Sequence, residues 1–413
     1  MNKIIIIGAG PAGMMAAGIA AKNESEVILI EKNNKPGMKL SITGKGKCNL
    51  TNSEPKISTF VDKYGKKGKF LINCFHEFFN IDLIEFFSNQ GCKLKEFSGG
   101  RIYPKSLQAN EIVKSLVEFV KANGVIIHSN EKALKLIFDH NTVSGILTDK
   151  NKYFCDAVVI ATGGLSYPST GSTGYGYKLA KQAGHSITPI LPSLVPLKIL
   201  NPSKRLVDLK LKNVKVTIYK DKNKLAEAFG EFVFKDFGVD GSVVLELSRK
   251  LNSILSRNNK LKMSIDLKPA LTEDKLDRRI IREIKNNSKG EYKTLLRKLL
   301  PKKLIKDFQL KTCISERKKV ATITKTERAR IIKFLKNYQL EILGTEDIDK
   351  AIVTSGGVNL DEIDPRTMQS KITKNLFFAG EVIDIDGATG GYNLQAAFST
   401  GHVAGYSATK SNT

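Results

Sequence analysis

The sequence predicts an α/β protein in which a Rossmann-like dinucleotide-binding domain is split by an inserted domain, first β-rich and then helical and basic. Three observations carry this. A strand, glycine turn, helix and strand open the chain. A second apolar strand closing in Ala379-Gly380-Glu381 lies near its end. The stretch between them changes both hydrophobic period and charge.

Residues 4–7 read as the first strand, Gly8-Ala9-Gly10-Pro11-Ala12-Gly13 as the turn, 14–21 as a small-residue helix, and 27–30 as a second strand ending in Glu31. The three glycines do different things: Gly8 permits the tight turn, Gly10 lets backbone approach a pyrophosphate at the helix N-terminus, and Gly13 lets helix pack on strand. Glu31, eighteen residues past Gly13, is placed to accept a ribose hydroxyl. Residues 125–127, 133–137 and 143–148 read as a small meander that feeds a buried strand at 157–161. Prolines at 189, 192 and 196 mark the crossing into the insertion. Alternation such as Val214-Lys215-Val216-Thr217-Ile218-Tyr219 predicts strands to about residue 245. Leu295, Leu296, Leu299, Leu300 and Leu304 then recur at helical spacing among lysines and arginines. Short strands and glycine turns return after Gly344, and a helix is expected from Asn393 to about Tyr406. The expected domains are 1–190 and 346–413 for the split nucleotide fold, 191–270 for the β-rich insertion and 271–345 for the basic helical subdomain.

The composition narrows the function classes. With 413 residues, 41% hydrophobic and 26% charged, the chain is expected to be soluble, and its apolar runs fall short of the ~20 residues of a bilayer helix. No signal peptide is visible, which predicts a cytoplasmic protein with no membrane partner. Five scattered cysteines without a C-x-x-C pair argue against a disulfide framework and a metal cluster. The net charge is +25, carried by 54 lysines and 12 arginines. An AT-rich genome would spread lysine evenly, yet residues 198–345 hold 37 basic and 17 acidic residues, a net of +20, while the remainder nets only +5. So localised an excess points to a polyanionic partner.

The first turn leaves NAD and FAD both open. The strand ending in Ala379-Gly380-Glu381 resembles the second FAD fingerprint of two-dinucleotide-binding flavoproteins. Further runs then match in order along nearly the whole chain: Lys39-Leu40-Ser41-Ile42-Thr43-Gly44-Lys45-Gly46-Lys47-Cys48-Asn49-Leu50-Thr51-Asn52, Gly100-Arg101-Ile102-Tyr103-Pro104, residues 161–167, Thr170-Gly171-Ser172-Thr173-Gly174, Pro192-Ser193-Leu194-Val195-Pro196-Leu197, and residues 355–357 through Gly387-Ala388-Thr389-Gly390-Gly391-Tyr392-Asn393-Leu394-Gln395. With these the chain resembles the bacterial flavoproteins called aminoacetone oxidase-like or 3-dehydro-bile acid reductase-like, whose RNA-directed members make dihydrouridine in large-subunit ribosomal RNA. The resemblance implies FAD contacts at Gly8, Gly10, Ala12, Gly13, Glu31, Lys32, Lys39, the backbone of Ala133, Ala161, Thr162, Gly163, Gly380, Glu381 and Asn393. Three departures stand out: Asp236 where the family shows a histidine, Tyr175 where it shows an aspartate, and Ala396 where it shows an aromatic residue.

Reduced flavin delivers hydride to a conjugated C=C bond, and an acid protonates the adjacent carbon. Cys48, in a lysine- and glycine-rich loop just after Lys45 and Lys47, is the candidate acid, because cationic neighbours depress a thiol pKa; packing as a small buried residue is the alternative. Tyr103, Tyr167 and Tyr392 are candidates to stack a planar substrate or to cap the pocket. His185 and His402 are expected to be hydrogen-bonded structural residues. The expected function is reduction of uridine in ribosomal RNA, with Arg278, Arg279, Arg282, Arg297, Lys298, Lys302, Lys303, Arg317, Lys318 and Lys319 tracking phosphates. The alternatives are a reductase or oxidase of a small enone or amine, and a flavin-containing RNA-binding protein without catalysis. NADH or NADPH is the expected transient reductant; no stable protein partner and no metal are expected.

Overall fold

Four consecutive isoleucines, Ile4 to Ile7, are sealed from solvent, as a parallel strand with both faces covered requires. They form most of the Lys3–Ile7 strand at the centre of a five-stranded parallel sheet in the order Leu376–Phe378, Ala157–Ile160, Lys3–Ile7, Glu26–Glu31, Ile126–Ser129. The computed structural model describes residues 1–255 and 261–411. They divide into two units, Met1–Ser193 with Ile348–Thr413, and Leu194–Asp347.

In the first unit the Pro11–Lys22 helix packs against the C-terminal Tyr392–Ala408 helix through backbone. A Cβ on Gly401 or Gly405 would stand 2.4 Å from the carbonyl oxygen of Ala12 or Ala16. Two small-residue stripes at i, i+4 therefore let the axes approach. The predicted meander differs in one strand: Ile126–Ser129 joins the parallel sheet, while Ala133–Asp139, Thr142–Thr148 and Lys152–Phe154 form the antiparallel one. Two helices that the sequence reading did not place, Asn80–Asn89 and Ala109–Ala122, supply Leu83, Phe87, Ile112 and Leu116 to the core.

In the second unit the strands Leu197–Ile199, Gly238–Asp240, Asn223–Phe234, Lys210–Lys220, Leu261–Asp266 and Tyr338–Thr345 close into a barrel in that order. Closure comes from the last strand, which pairs with both Leu261–Asp266 and Leu197–Ile199. The predicted strand pattern to about residue 245 ends at Asp240, because Val243, Val244 and Leu247 fall at helical spacing in the Ser242–Lys250 helix. The helices Glu273–Asn286, Tyr292–Leu299, Ile305–Thr312 and Lys325–Lys336 connect the fifth and sixth strands. Leu276, Leu295, Phe308 and Leu335 share one core with Val216, Phe232 and Met263. The expected boundary near residue 270 therefore does not separate two bodies.

Candidate functional site

The predicted nucleotide residues gather at the carboxyl ends of adjacent parallel strands, where open α/β sheets bind ligands. Gly8 follows the first strand at φ +103°, and a Cβ there would lie 2.7 Å from the Ala161 carbonyl oxygen. Gly13 is tighter still, with its Cβ position 1.8 Å from the Gly8 oxygen. Gly10 is the opposite case. Nothing lies within 4 Å of its Cβ position, and it caps the Pro11–Lys22 helix without a side-chain hydrogen bond. Open space thus adjoins an uncapped helix N-terminus, which suits a pyrophosphate. Ala12 and Gly13 lie in that first turn.

Glu31 ends the second strand. Its carboxylate accepts the backbone N–H groups of Ala9 and Asn33, both at 2.8 Å, and each oxygen retains capacity for a ribose hydroxyl. The Glu131 amide donates to the Glu31 carbonyl at 3.0 Å, which brings the start of the Ala133–Asp139 strand to the same strand end. Lys32 donates to Thr173 at 2.8 Å, and burial lowers its pKa.

Two further strand ends complete the site. Ala161, Thr162 and Gly163 follow the Ala157–Ile160 strand, and Thr162 Oγ1 is buried without a hydrogen-bond partner among the described residues. Gly380 and Glu381 follow the Leu376–Phe378 strand. Glu381 joins three segments: it accepts from Lys39 Nζ at 2.6 Å, Ser166 Oγ at 3.0 Å and the Thr354 amide at 2.7 Å. Lys39 also donates to Ser166 at 2.6 Å, and Thr354 Oγ1 accepts the amides of Leu165 and Ser166. The sequence reading missed Ser166 and Thr354 as partners, since only the fold brings residues so far apart in the chain together. Asn393 is committed differently from expectation. Its side chain brackets Gly387 at 2.7 and 2.9 Å, so its contribution to a ligand is left to the backbone amide in the helix's first turn. The open Gly10 space, the orphaned Thr162 hydroxyl and the strand-end acids fit an extended dinucleotide.

Several expectations change. Cys48 is completely buried at φ +56°, and burial pushes its thiol up to about 12, with a hydrogen bond to Thr43 acting the other way. Lys45 and Lys47 do not produce the depressed thiol that was expected; the side chain belongs to the core. Tyr392 also packs inward, edge-on to Phe60 at 4.7 Å. The glycine run is closely packed: a Cβ on Gly387 would meet the Tyr64 ring and one on Gly391 the Thr51 backbone. Tyr103 and Tyr167 are half-buried, Tyr103 edge-on to Phe97 and Tyr167 with Lys39 Nζ 6.0 Å from its ring centre. Tyr175, in the family's aspartate position, donates to the Leu134 carbonyl at 3.0 Å. His185 bonds Glu362 at 3.0 Å and Ser370 at 2.7 Å, whereas the Nδ1 of His402 has no partner among the described residues and its ring stacks on Phe78.

In the second unit Asp236 is exposed and accepts the Phe237 amide. Arg278, Arg282, Arg297, Lys298, Lys302, Arg317 and Lys319 are exposed and without an ion-pair partner among the described residues, and Arg279 is half-buried. Lys303 is exposed but donates to the Val207 carbonyl. Lys318 departs from its expected role: it is held 2.6 Å from Glu327, whose other oxygen accepts the Thr324 amide in a helix capping box. No helix among the described residues is long and apolar enough to cross a membrane.

Comparisons with known proteins agree with this architecture. The chain is 31% identical to the 3-dehydro-bile acid delta(4,6)-reductase of Clostridium scindens, over 99% of each protein. It is 29% identical to the ribosomal RNA dihydrouridine synthase of Haemophilus influenzae, over 98% of this chain and 97% of that one. The fold resembles that of 3-ketosteroid delta1-dehydrogenase from Sterolibacterium denitrificans, with a TM-score of 0.56 and 13% identity over 99% of this chain and 100% of that one. The family described as HI0933-like protein Rossmann domain matches residues 2–407, and the chain belongs to it.

Proposed function

We propose that this chain is an FAD-dependent oxidoreductase that reduces uridine to dihydrouridine in large-subunit (23S) ribosomal RNA, with NADH or NADPH as the transient reductant. The observation that carries the RNA reading is the exposed side of the Glu273–Asn286 helix. Lys275, Arg278, Arg282 and Lys285 lie there in one stripe, all exposed and without an ion-pair partner among the described residues. A merely solvated helix face interleaves acids with bases; here Glu273 and Asp274 are confined to the first turn, and from Lys275 onward the exposed charges of the helix are cations alone. Arg297, Lys298, Lys302, Arg317 and Lys319 add to the charge available for phosphates.

Bound FAD would supply hydride to a C=C bond conjugated with a carbonyl, a feature that uridine shares with an unsaturated 3-oxo steroid. The chain's own residues bind and orient. The Gly8 to Gly13 turn and the helix amides hold the pyrophosphate, Glu31 accepts the ribose, and the Ala133 backbone and Lys32 edge the nucleoside. Ala161 to Gly163, Gly380 and the Glu381–Lys39 pair hold the sugar chain and the ring edge. The target base leaves its stack to be reached, while cations keep the RNA backbone in place.

The likeness to the bile acid reductase supports a second reading, reduction of a small enone. Two measurements decide. The purified protein is expected to show a flavin absorbance spectrum. Ribosomal RNA from a deletion strain is expected to lose a dihydrouridine by nucleoside mass spectrometry; an unchanged modification map, with an enone reoxidising the reduced flavin, would establish the second reading instead.

A further inference from the structure

On the barrel, Val214, Val216 and Ile218 point into the core, so Lys215, Thr217 and Tyr219 point outward. Strand pairing sets Phe229 beside Lys215 and Glu227 beside Thr217 on one flank. On the other flank it sets Asp266 beside Lys215, Ser264 beside Thr217 and Lys262 beside Tyr219. Glu273, Lys333, Lys336 and Asn337 complete a groove of about 320 Å³ over this face, polar in its lining apart from the Tyr219 ring. So polar a surface does not suit a steroid or other apolar molecule.

The groove's charges are unevenly satisfied. Glu227 is matched by Lys215 at 3.3 Å and Lys224 at 3.0 Å, and Asp266 by Lys336 at 2.5 Å. Lys262 and Lys333 are exposed and have no ion-pair partner among the described residues. Glu273 is the acid left over, at the first turn of its helix, where a negative charge is favoured. Beside the groove, Phe229 presents its ring to solvent at 62% exposure. The half-buried Tyr219 ring beside the unpaired Lys262, with the exposed Phe229 ring on the same strand face beside the paired Lys215, in a unit dense in positive charge, matches single-stranded nucleic acid, whose bases stack on aromatic rings while cations take the phosphates. The helix with the Lys275 to Lys285 stripe also begins at this groove, at Glu273.

We infer that this barrel face seats a single-stranded segment of the substrate RNA, one base stacking on Phe229 and another on Tyr219, with Lys262 and Lys333 on phosphates. The inference rests on the RNA reading above and deepens it. The test uses the full-length protein with a fluorescent single-stranded oligouridylate and a duplex of the same length, read by anisotropy across a salt series. Phe229→Ala is expected to weaken single-strand binding roughly 5- to 10-fold with less effect on the duplex. Lys333→Glu is expected to lower the single-strand salt slope by about 0.7. Because Phe229 is exposed, circular dichroism should show an unchanged fold, and 4-thiouridine in the oligomer should photocrosslink to peptides containing Tyr219 or Phe229. Wild-type affinity in Phe229→Ala, or crosslinks confined to other peptides, would overturn the groove assignment and leave the RNA reading standing. If the wild-type protein binds neither RNA, the RNA reading itself fails.

Discussion

The two units carry their chemistry in opposite ways. In the first, function is prepared by backbone: glycines at 8, 10 and 13 set distances between strand, helix and open space, and the acids Glu31 and Glu381 are fixed by main-chain amides. In the second, the proposed RNA contacts rest on side chains that the fold leaves exposed, such as Arg278, Arg282 and Lys333. Backbone sites tolerate almost no change in volume. Charged surfaces tolerate substitution of any one member and fail by degrees.

The strongest test of this contrast is Gly13→Ala. Its Cβ would stand 1.8 Å from a backbone oxygen, so helix and strand must separate. Overpacking of this kind costs about 1–3 kcal/mol or more. The variant should purify without flavin absorbance, and full retention of flavin would show that the turn does not set the cofactor's position.

Next in size is charge reversal of Arg278 and Arg282 together. The salt slope of RNA binding should fall by roughly 1.5 if each arginine meets one phosphate, while the flavin spectrum stays unchanged. Lys318→Glu provides the internal contrast. It removes the pair with Glu327 and should lower the melting temperature without a comparable change in slope. A slope change in Lys318→Glu half that of the double variant, in proportion to the charge removed, would mean that charge acts only through the net total.

How much of this was legible in the sequence follows the same division. The glycine turn and the acid past it were readable because spacing along one βαβ unit is local, and the strands at 4–7 and 157–161 because four or five apolar residues in a row have nowhere else to go. The Lys39, Ser166, Thr354 and Glu381 cluster was not, since its members come from four segments that only the sheet brings together. Lys318 shows the limit on the basic side: counting charges locates an excess, yet cannot tell a free cation from one clamped in a helix cap. Barrel closure by residues 338–345 was hidden because their partners lie more than seventy residues earlier in the chain.

A smaller effect separates the units by pH. All five histidines belong to the first unit. Burial lowers the pKa of both His185 and His402, although Glu362 opposes the shift at His185. Folding therefore favours the neutral rings. Their contribution is fully present above the unfolded value of about 6.5 and is lost as pH falls through the lower folded values. The melting temperature should drop on acidification from about pH 7 to 5, and His402→Phe, which keeps the aromatic contact with Phe78, should shrink the drop. An undiminished drop in that variant would place the acid sensitivity in carboxylates of either unit.

The least change is expected at Cys48. A thiol pushed up to about 12 and completely buried keeps its proton at neutral pH and meets no solvent. It behaves as a small hydrophobe at a left-handed backbone position that alanine occupies at similar cost. Cys48→Ala should cost about 1 kcal/mol in stability through lost packing and leave turnover and bound flavin intact. Native-state alkylation followed by peptide mapping should modify the exposed Cys313 of the second unit and spare Cys48. Loss of turnover in Cys48→Ala with flavin retained would restore the thiol as proton donor, and would mean that the first unit, like the second, places a working side chain where backbone alone is expected to act.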